Sequence, residues 1–389
     1  MNQIEQPVQL SPTESLQPQT RIAGQRPTLL CLSHLRWGFV YQRPQHVMSR
    51  LARDYDVLFF EEPVFEQVPS AHLRSHAVAQ GVTVLVPVLP EGSGEKASEI
   101  QRALLDEHLR GRGEQALLLW YYTPMSLSFS DHLEGQVVIY DCMDELSAFL
   151  HAPAALVDME KRLLKKANVV FTGGRTLGEA KRKHHENVHA MPSSVDIDHF
   201  AAARDSLPEP PDQASIARPR LGFFGVIDER FDVELVRDVA TQRPDWQIVL
   251  VGPVVKIDPA TLPRLPNIHY LGSKRYEELP AYLAGWDVAL MPFALNESTR
   301  FISPTKTPEY LAGGCPVVST RISDVVNDYG RSGVVSIADD TAGFIAAIEA
   351  FLALRAQPGI VCERADKALQ GMSWNKTCHL MKEQIECQR

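Results

Sequence analysis

The run Val288-Ala289-Leu290-Met291-Pro292, a polar loop, and then Ser303-Pro304-Thr305-Lys306-Thr307-Pro308-Glu309-Tyr310-Leu311-Ala312-Gly313-Gly314-Cys315-Pro316-Val317-Val318 decide how this chain folds. An apolar run of strand length leads to a hydroxyl-rich turn, a short helix opens there, Gly-Gly ends it, and a second β-branched run follows. Strand, helix and strand in that order make a parallel sheet whose strands are buried on both faces. At the turn, free backbone N–H groups, the positive end of the helix dipole and the Lys306 ammonium converge, a set of groups that suits an anion. Glu309 lies one turn inside, where a carboxylate repels phosphate but accepts hydrogen bonds from a ribose. We therefore expect Lys306 to hold phosphate and Glu309 sugar hydroxyls. Ordinary capping explains the same residues, with Ser303 and Thr305 at the helix start and Glu309 in its first turn, so both readings stay open here.

The same alternation extends in both directions. Apolar runs at 28–33, 57–60, 82–88, 116–121, 137–140 and 169–172 are separated by amphipathic stretches, the pattern of βαβ units. Residues 204–218, with Ser-Leu-Pro-Glu-Pro-Pro-Asp and no periodicity, read as a linker. Beyond it the runs restart at 221–226, 247–251, 268–271, 288–292, 316–319 and 334–337. The expected fold is α/β, with two Rossmann-like domains at 27–203 and 219–371 facing across a cleft. Ligands bind such sheets at the carboxyl ends of their strands. The segment 372–389 reads as a closing helix, with Trp374, Cys378, Met381 and Ile385 near one face, able to cap either domain.

Charge and composition exclude several classes. A formal net charge of −9 opposes nucleic-acid binding, which needs a basic surface to neutralise phosphates. The six cysteines include no C-x-x-C pair, so neither a zinc site nor a disulfide framework is expected. Residues 1–26 are rich in Gln, Pro, Ser and Thr and lack the apolar core of a secretory signal; they read as a disordered leader. No stretch approaches the roughly 18 apolar residues of a membrane span. Two basic clusters, Lys161, Arg162, Lys165, Lys166 and Lys181, Arg182, Lys183, are either a peripheral contact for an anionic membrane or, by the simpler reading, a solvated helix face.

The run S-P-T-K-x-x-E-Y-L-A-x-G-x-P-V-V resembles the donor-binding segment of GT-B glycosyltransferases of the retaining, glycogen-synthase-like group. Gly225-Val226-Ile227-Asp228-Glu229-Arg230 resembles the first strand and loop of the family's donor domain, and Trp246-Gln247-Ile248-Val249-Leu250-Val251-Gly252-Pro253 its second strand. Pro192-Ser193-Ser194-Val195-Asp196-Ile197-Asp198-His199-Phe200 is similar to the family's interdomain signature. More narrowly, the chain is similar to bacterial polysaccharide-synthesis glycosyltransferases like those of teichuronic-acid operons. The resemblance implies donor contacts from Gly225, Arg230, Ser303, Pro304, Thr305, Lys306 and Glu309. Two positions depart from the pattern. Phe301 stands eight before Glu309, where the family carries its first glutamate, which is thus missing or displaced to Glu297. Val226 stands where a basic residue commonly follows the strand glycine, so Arg230 is the substitute.

In enzymes of this kind the loop after the first strand lines the cleft, which here implicates His34, Arg36 and Arg43; the arginines' forked donors suit phosphate or an acidic acceptor. The other reading makes Trp37, Phe39 and Tyr41 core aromatics and the arginines solvated. Asp141 and Asp144 close a predicted strand, where either can orient or deprotonate an acceptor hydroxyl, or merely cap a helix, as Glu145 is expected to do. Arg175, after the Gly173-Gly174 turn, can reach the cleft. The expected activity is transfer from a nucleotide diphosphate sugar, UDP-linked in the simplest case, to a saccharide or lipid-linked acceptor in polysaccharide or cell-envelope synthesis. It would need no metal and no cofactor, with helix ends and cations neutralising the diphosphate. The expected location is cytoplasmic, with the inner membrane face as a peripheral contact. A nucleotide-sugar 2-epimerase and a non-catalytic nucleotide-sugar-binding subunit are the alternatives.

Overall fold

The computed structural model describes residues 26–112, 115–354 and 356–389; all of the proposed leader except Arg26 lies outside them. The strands are β1 (Thr28–Leu32), β2 (Asp56–Phe60), β3 (Val64–Glu66), β4 (His72–Ala79), β5 (Val82–Pro90), β6 (Leu117–Tyr121), β7 (Val137–Cys142), β8 (Val169–Thr172) and β9 (Val188–Ala190), then β10 (Arg220–Phe224), β11 (Gln247–Val251), β12 (Ile268–Gly272), β13 (Val288–Met291), β14 (Val317–Ser319) and β15 (Val335–Ile337). They form two sheets, ordered β3-β5-β2-β1-β6-β7-β8-β9 and β12-β11-β10-β13-β14-β15, with β4 added antiparallel to β5. All other pairings are parallel.

Near-continuous apolar strands follow from burial on both faces. Leu29 and Cys31 pack into one layer of the first domain and Leu30 and Leu32 into the other. In the second sheet Ile248 and Leu250 face one layer, and Val249 and Val251 the other. The order of the second sheet reverses between β10 and β13, and that of the first between β1 and β6. A crevice opens where the connections diverge, at the carboxyl ends of those strands, and ligands of doubly wound sheets lie there.

Residues 204–218 are largely exposed but anchored at two points, Gln213 and Ile216: Gln213 is fully buried, accepts a hydrogen bond from Trp286 Nε1 and donates one to the Tyr282 carbonyl. The closing helix, Trp374–Glu386, returns to the first domain, where Trp374, Cys378, Met381 and Ile385 join the layer of Leu29 and Trp120. Lys181, expected on a basic surface, is instead buried and donates to Glu145 and Glu160. The anticipated second basic cluster is therefore broken, and Glu145 is an ion-pair partner. No single helix among the described residues is long and apolar enough to cross a membrane.

Candidate active site

The two crevices face one another. Gly225 ends β10 with φ of +139°, and a Cβ there would lie 2.1 Å from Lys306 Cε. Only glycine allows the lysine to lie over that backbone. Gly252, with φ of +143°, supports it from β11, since a Cβ there would strike the Gly225 carbonyl oxygen at 1.9 Å. Ser303, Pro304, Thr305 and Lys306 line the cleft from the second domain together with Arg230, and Met143 and Asp144 line it from the first. Thr305 occupies the cap position of helix Lys306–Ala312 but makes no side-chain cap bond; its hydroxyl lies close enough to Glu309 to favour that carboxylate's charged form. Thr305 therefore does not cap the helix through its side chain.

Charge is concentrated in this cleft. Burial pulls the Lys306 ammonium down from its ordinary pKa, Glu309 opposes that shift, and Arg230 adds to it. Burial likewise raises Glu309 to about 7, against the pull of Lys306 and the Thr305 hydroxyl. Glu309 is only 6% exposed. Arg230 chelates Asp228, with Nη2 at 2.7 Å from Oδ2, and lies over the Phe149 ring of the first domain at 5.2 Å. Lys256 reaches the same ring at 5.1 Å. Asp144 is half-buried; desolvation raises its carboxyl, with Arg230, Arg43 and Lys306 opposing in that order. His34 lies close enough to Lys256 to feel its charge, and burial together with that charge lowers it to about 4, so the ring is neutral at pH 7.

Several expected site residues serve elsewhere. Asp141 is fully buried and accepts from Arg43 Nε at 3.1 Å and Nη2 at 2.8 Å, while Arg43 Nη1 donates to the Met191 carbonyl at 2.7 Å. This corrects both expectations: the Asp141 carboxylate has no access to an acceptor, and the Arg43 guanidinium, whose edge touches the cleft, is committed to a structural pair. Arg36 donates to Glu61 at 3.0 Å and to the Glu62 and Pro63 carbonyls, so it braces the loop after β2. Arg175 pairs with Asp328 across the domain boundary at 3.0 Å and lies outside the cleft lining. Glu297 does not replace the first glutamate; its side chain is 79% exposed and pairs with Arg300. Phe301 packs against the first domain's layer of Tyr140 and Leu163.

The residues not anticipated are Asp228, Phe149 and Lys256. Asp228, two positions from Arg230, was readable as a local carboxylate–guanidinium pair. Lys256 and Phe149 meet through folding alone, and no local pattern announces them.

Residues 218–353 match the family model described as glycosyl transferases group 1. That stretch spans the second sheet and most of the helices packed on it. The chain is also 30% identical over 241 residues to TuaH of Bacillus subtilis (strain 168), whose name places it in teichuronic acid biosynthesis as a glycosyltransferase. That match spans 56% of this chain and 59% of the relative. Among solved structures, sucrose-phosphate synthase from Thermosynechococcus elongatus superposes with a TM-score of 0.65 at 14% identity, covering 92% of this chain and 98% of the other. The catalytic domain of starch synthase IV from Arabidopsis thaliana, bound to ADP and acarbose, gives 0.67 at 11%, covering 94% and 99%. Anabaena HepE in complex with UDP gives 0.65 at 14%, covering 93% and 100%. The fold is GT-B, as the sequence led us to expect.

Proposed function

We propose that this protein is a glycosyltransferase that moves a sugar from a nucleotide diphosphate sugar to a saccharide or lipid-linked acceptor in polysaccharide synthesis. The observation that carries the reading is the Lys306 ammonium laid across side-chain-free Gly225 at the reversal point of the second sheet, in the charge field of Arg230. Two cations at that point receive the diphosphate and stabilise the charge that grows on it as the sugar leaves. Asp144, the half-buried carboxylate facing them, is the group we assign to the acceptor hydroxyl. Glu309, beside Lys306, accepts from the nucleotide's ribose. A UDP-linked donor accords with HepE, which holds UDP, and an ADP-linked one with the starch synthase domain, which holds ADP. We propose that no metal and no cofactor takes part, the cations doing that work; turnover abolished by EDTA and rescued by Mn²⁺ would overturn this. A peripheral site on the inner membrane face remains part of the proposal, with helix Leu156–Lys166 presenting Lys161 and Lys165 as its basic side.

Lys306→Ala tests the assignment. A charge-assisted phosphate contact contributes roughly 1.5–3 kcal/mol, so affinity for UDP or GDP, whichever binds, should fall on the order of ten- to a hundredfold. Calorimetry on the folded variant reads this directly, and unaltered affinity removes the turn from the donor site. One observation favours a second reading, a nucleotide-sugar-binding subunit without turnover: Phe301 fills the position of the family's first glutamate, and Glu297 stays outside the cleft. Donor binding without transfer, even with native acceptor, distinguishes it.

A further inference from the structure

Asp324 is carried by helix Ser323–Tyr329 of the second domain, yet its side chain is buried against the first. Its Oδ2 accepts from the Arg175 backbone N–H at 2.9 Å, and its Oδ1 accepts from the Thr176 N–H at 3.2 Å and the Thr176 hydroxyl at 2.5 Å. A Cβ on Gly174 would lie 2.1 Å from Asp324 Oδ2 and 2.9 Å from Ser303 Cβ. The same bare stretch of backbone therefore receives both the carboxylate and the donor turn. One residue earlier, Gly173 donates to the Cys142 carbonyl at 3.0 Å, and a Cβ on it would strike the Met143 carbonyl oxygen at 2.1 Å. The Gly173-Gly174 turn is thus packed backbone to backbone against the segment that carries Asp144. Ser303, which rests against Gly174 of the same turn, is three residues from Lys306.

We infer that Asp324 is a positioning residue for the transfer reaction: docked in the first domain, it fixes the separation across which Asp144 faces Lys306. The inference rests on the glycosyl-transfer reading of the cleft. Asp324 lies outside the cleft lining. Its carboxylate is held by three donors, and a buried carboxylate deprived of donors is costly, so the seam is either fully engaged or fully released and does not slide. The neighbouring Arg175–Asp328 pair, with Arg175 62% exposed, adds little, as exposed pairs do.

The test compares Asp324→Ala with Asp324→Asn, which keeps one acceptor oxygen for the Thr176 N–H and hydroxyl and gives up the one that meets the Arg175 N–H. Misplacement by about 1 Å is enough to slow a reaction substantially, so we expect kcat of Asp324→Ala to fall by roughly ten- to a hundredfold. Affinity for UDP should stay within about twofold, because the donor turn itself is untouched. Small-angle scattering should show a broader distribution of domain separations for the Ala variant, and Asp324→Asn, with one of the two acceptors retained, should recover part of both properties. Wild-type kcat in Asp324→Ala overturns the inference. So does a loss shared equally by both variants and accompanied by weaker UDP binding, which would mark a role in folding the second domain. A wild-type protein that binds UDP but transfers no sugar overturns the transfer reading instead, and that result is read before any variant is made.

Discussion

At the scale of single residues, the structure separates two carboxylates that the sequence offered as equivalents. Asp141 lies in β7 and Asp144 just beyond its end, but Asp141 is fully buried under Arg43 while Asp144 faces the cleft. Replacing Asp141 leaves the Arg43 charge buried without its partner, a defect of about 3–5 kcal/mol. Asp141→Asn should therefore lower the melting temperature markedly. Asp144→Asn should leave melting near wild type and slow transfer by roughly a hundredfold or more, as loss of a group acting on a proton in the transition state does. Thermal melts and turnover measured on both variants decide the point; equal melting temperatures would refute the division. The Ser303–Glu309 turn was legible because its parts lie within seven residues of one another. The Arg43–Asp141 pair was not, since its members are 98 positions apart and each alone has the character of a cleft residue.

At the scale of elements, alternation of apolar runs and helices disclosed most of the strands, because a strand buried on both faces must be apolar throughout. It missed β4, whose sequence His-Leu-Arg-Ser-His-Ala-Val-Ala is largely exposed on the sheet edge. Such an edge strand is specified by its hairpin, here closed at Gly81 with φ of +79°, rather than by a hydrophobic signal. The closing helix was visible as a pattern, but its destination was not. It docks where Trp374 stacks on His46 at 4.7 Å in the first domain. Trp374 is 1% exposed, so Trp374→Ala should cost about 3–5 kcal/mol. Urea denaturation should show that loss in the transition of the first domain, with UDP affinity preserved; a loss confined to the second domain's transition would contradict the docking.

At the scale of the whole molecule, the chain leaves the first domain after β9, builds the second sheet, and comes back through helix Trp374–Glu386. Sequence order alone left this return open, since the apolar face of the closing helix suits either domain. The path has a mechanical consequence. If the molecule is stretched between handles at Pro27 and Glu386, both points of attachment lie on the first domain, and the second hangs outside the line of tension. The helix must peel away before any pull reaches the donor-side sheet. An optical-trap trace should accordingly begin with a short, low-force rip of helix length, followed by the larger extensions of the two sheets. Were the large rip to come first, the second domain would have been in the line of tension from the start.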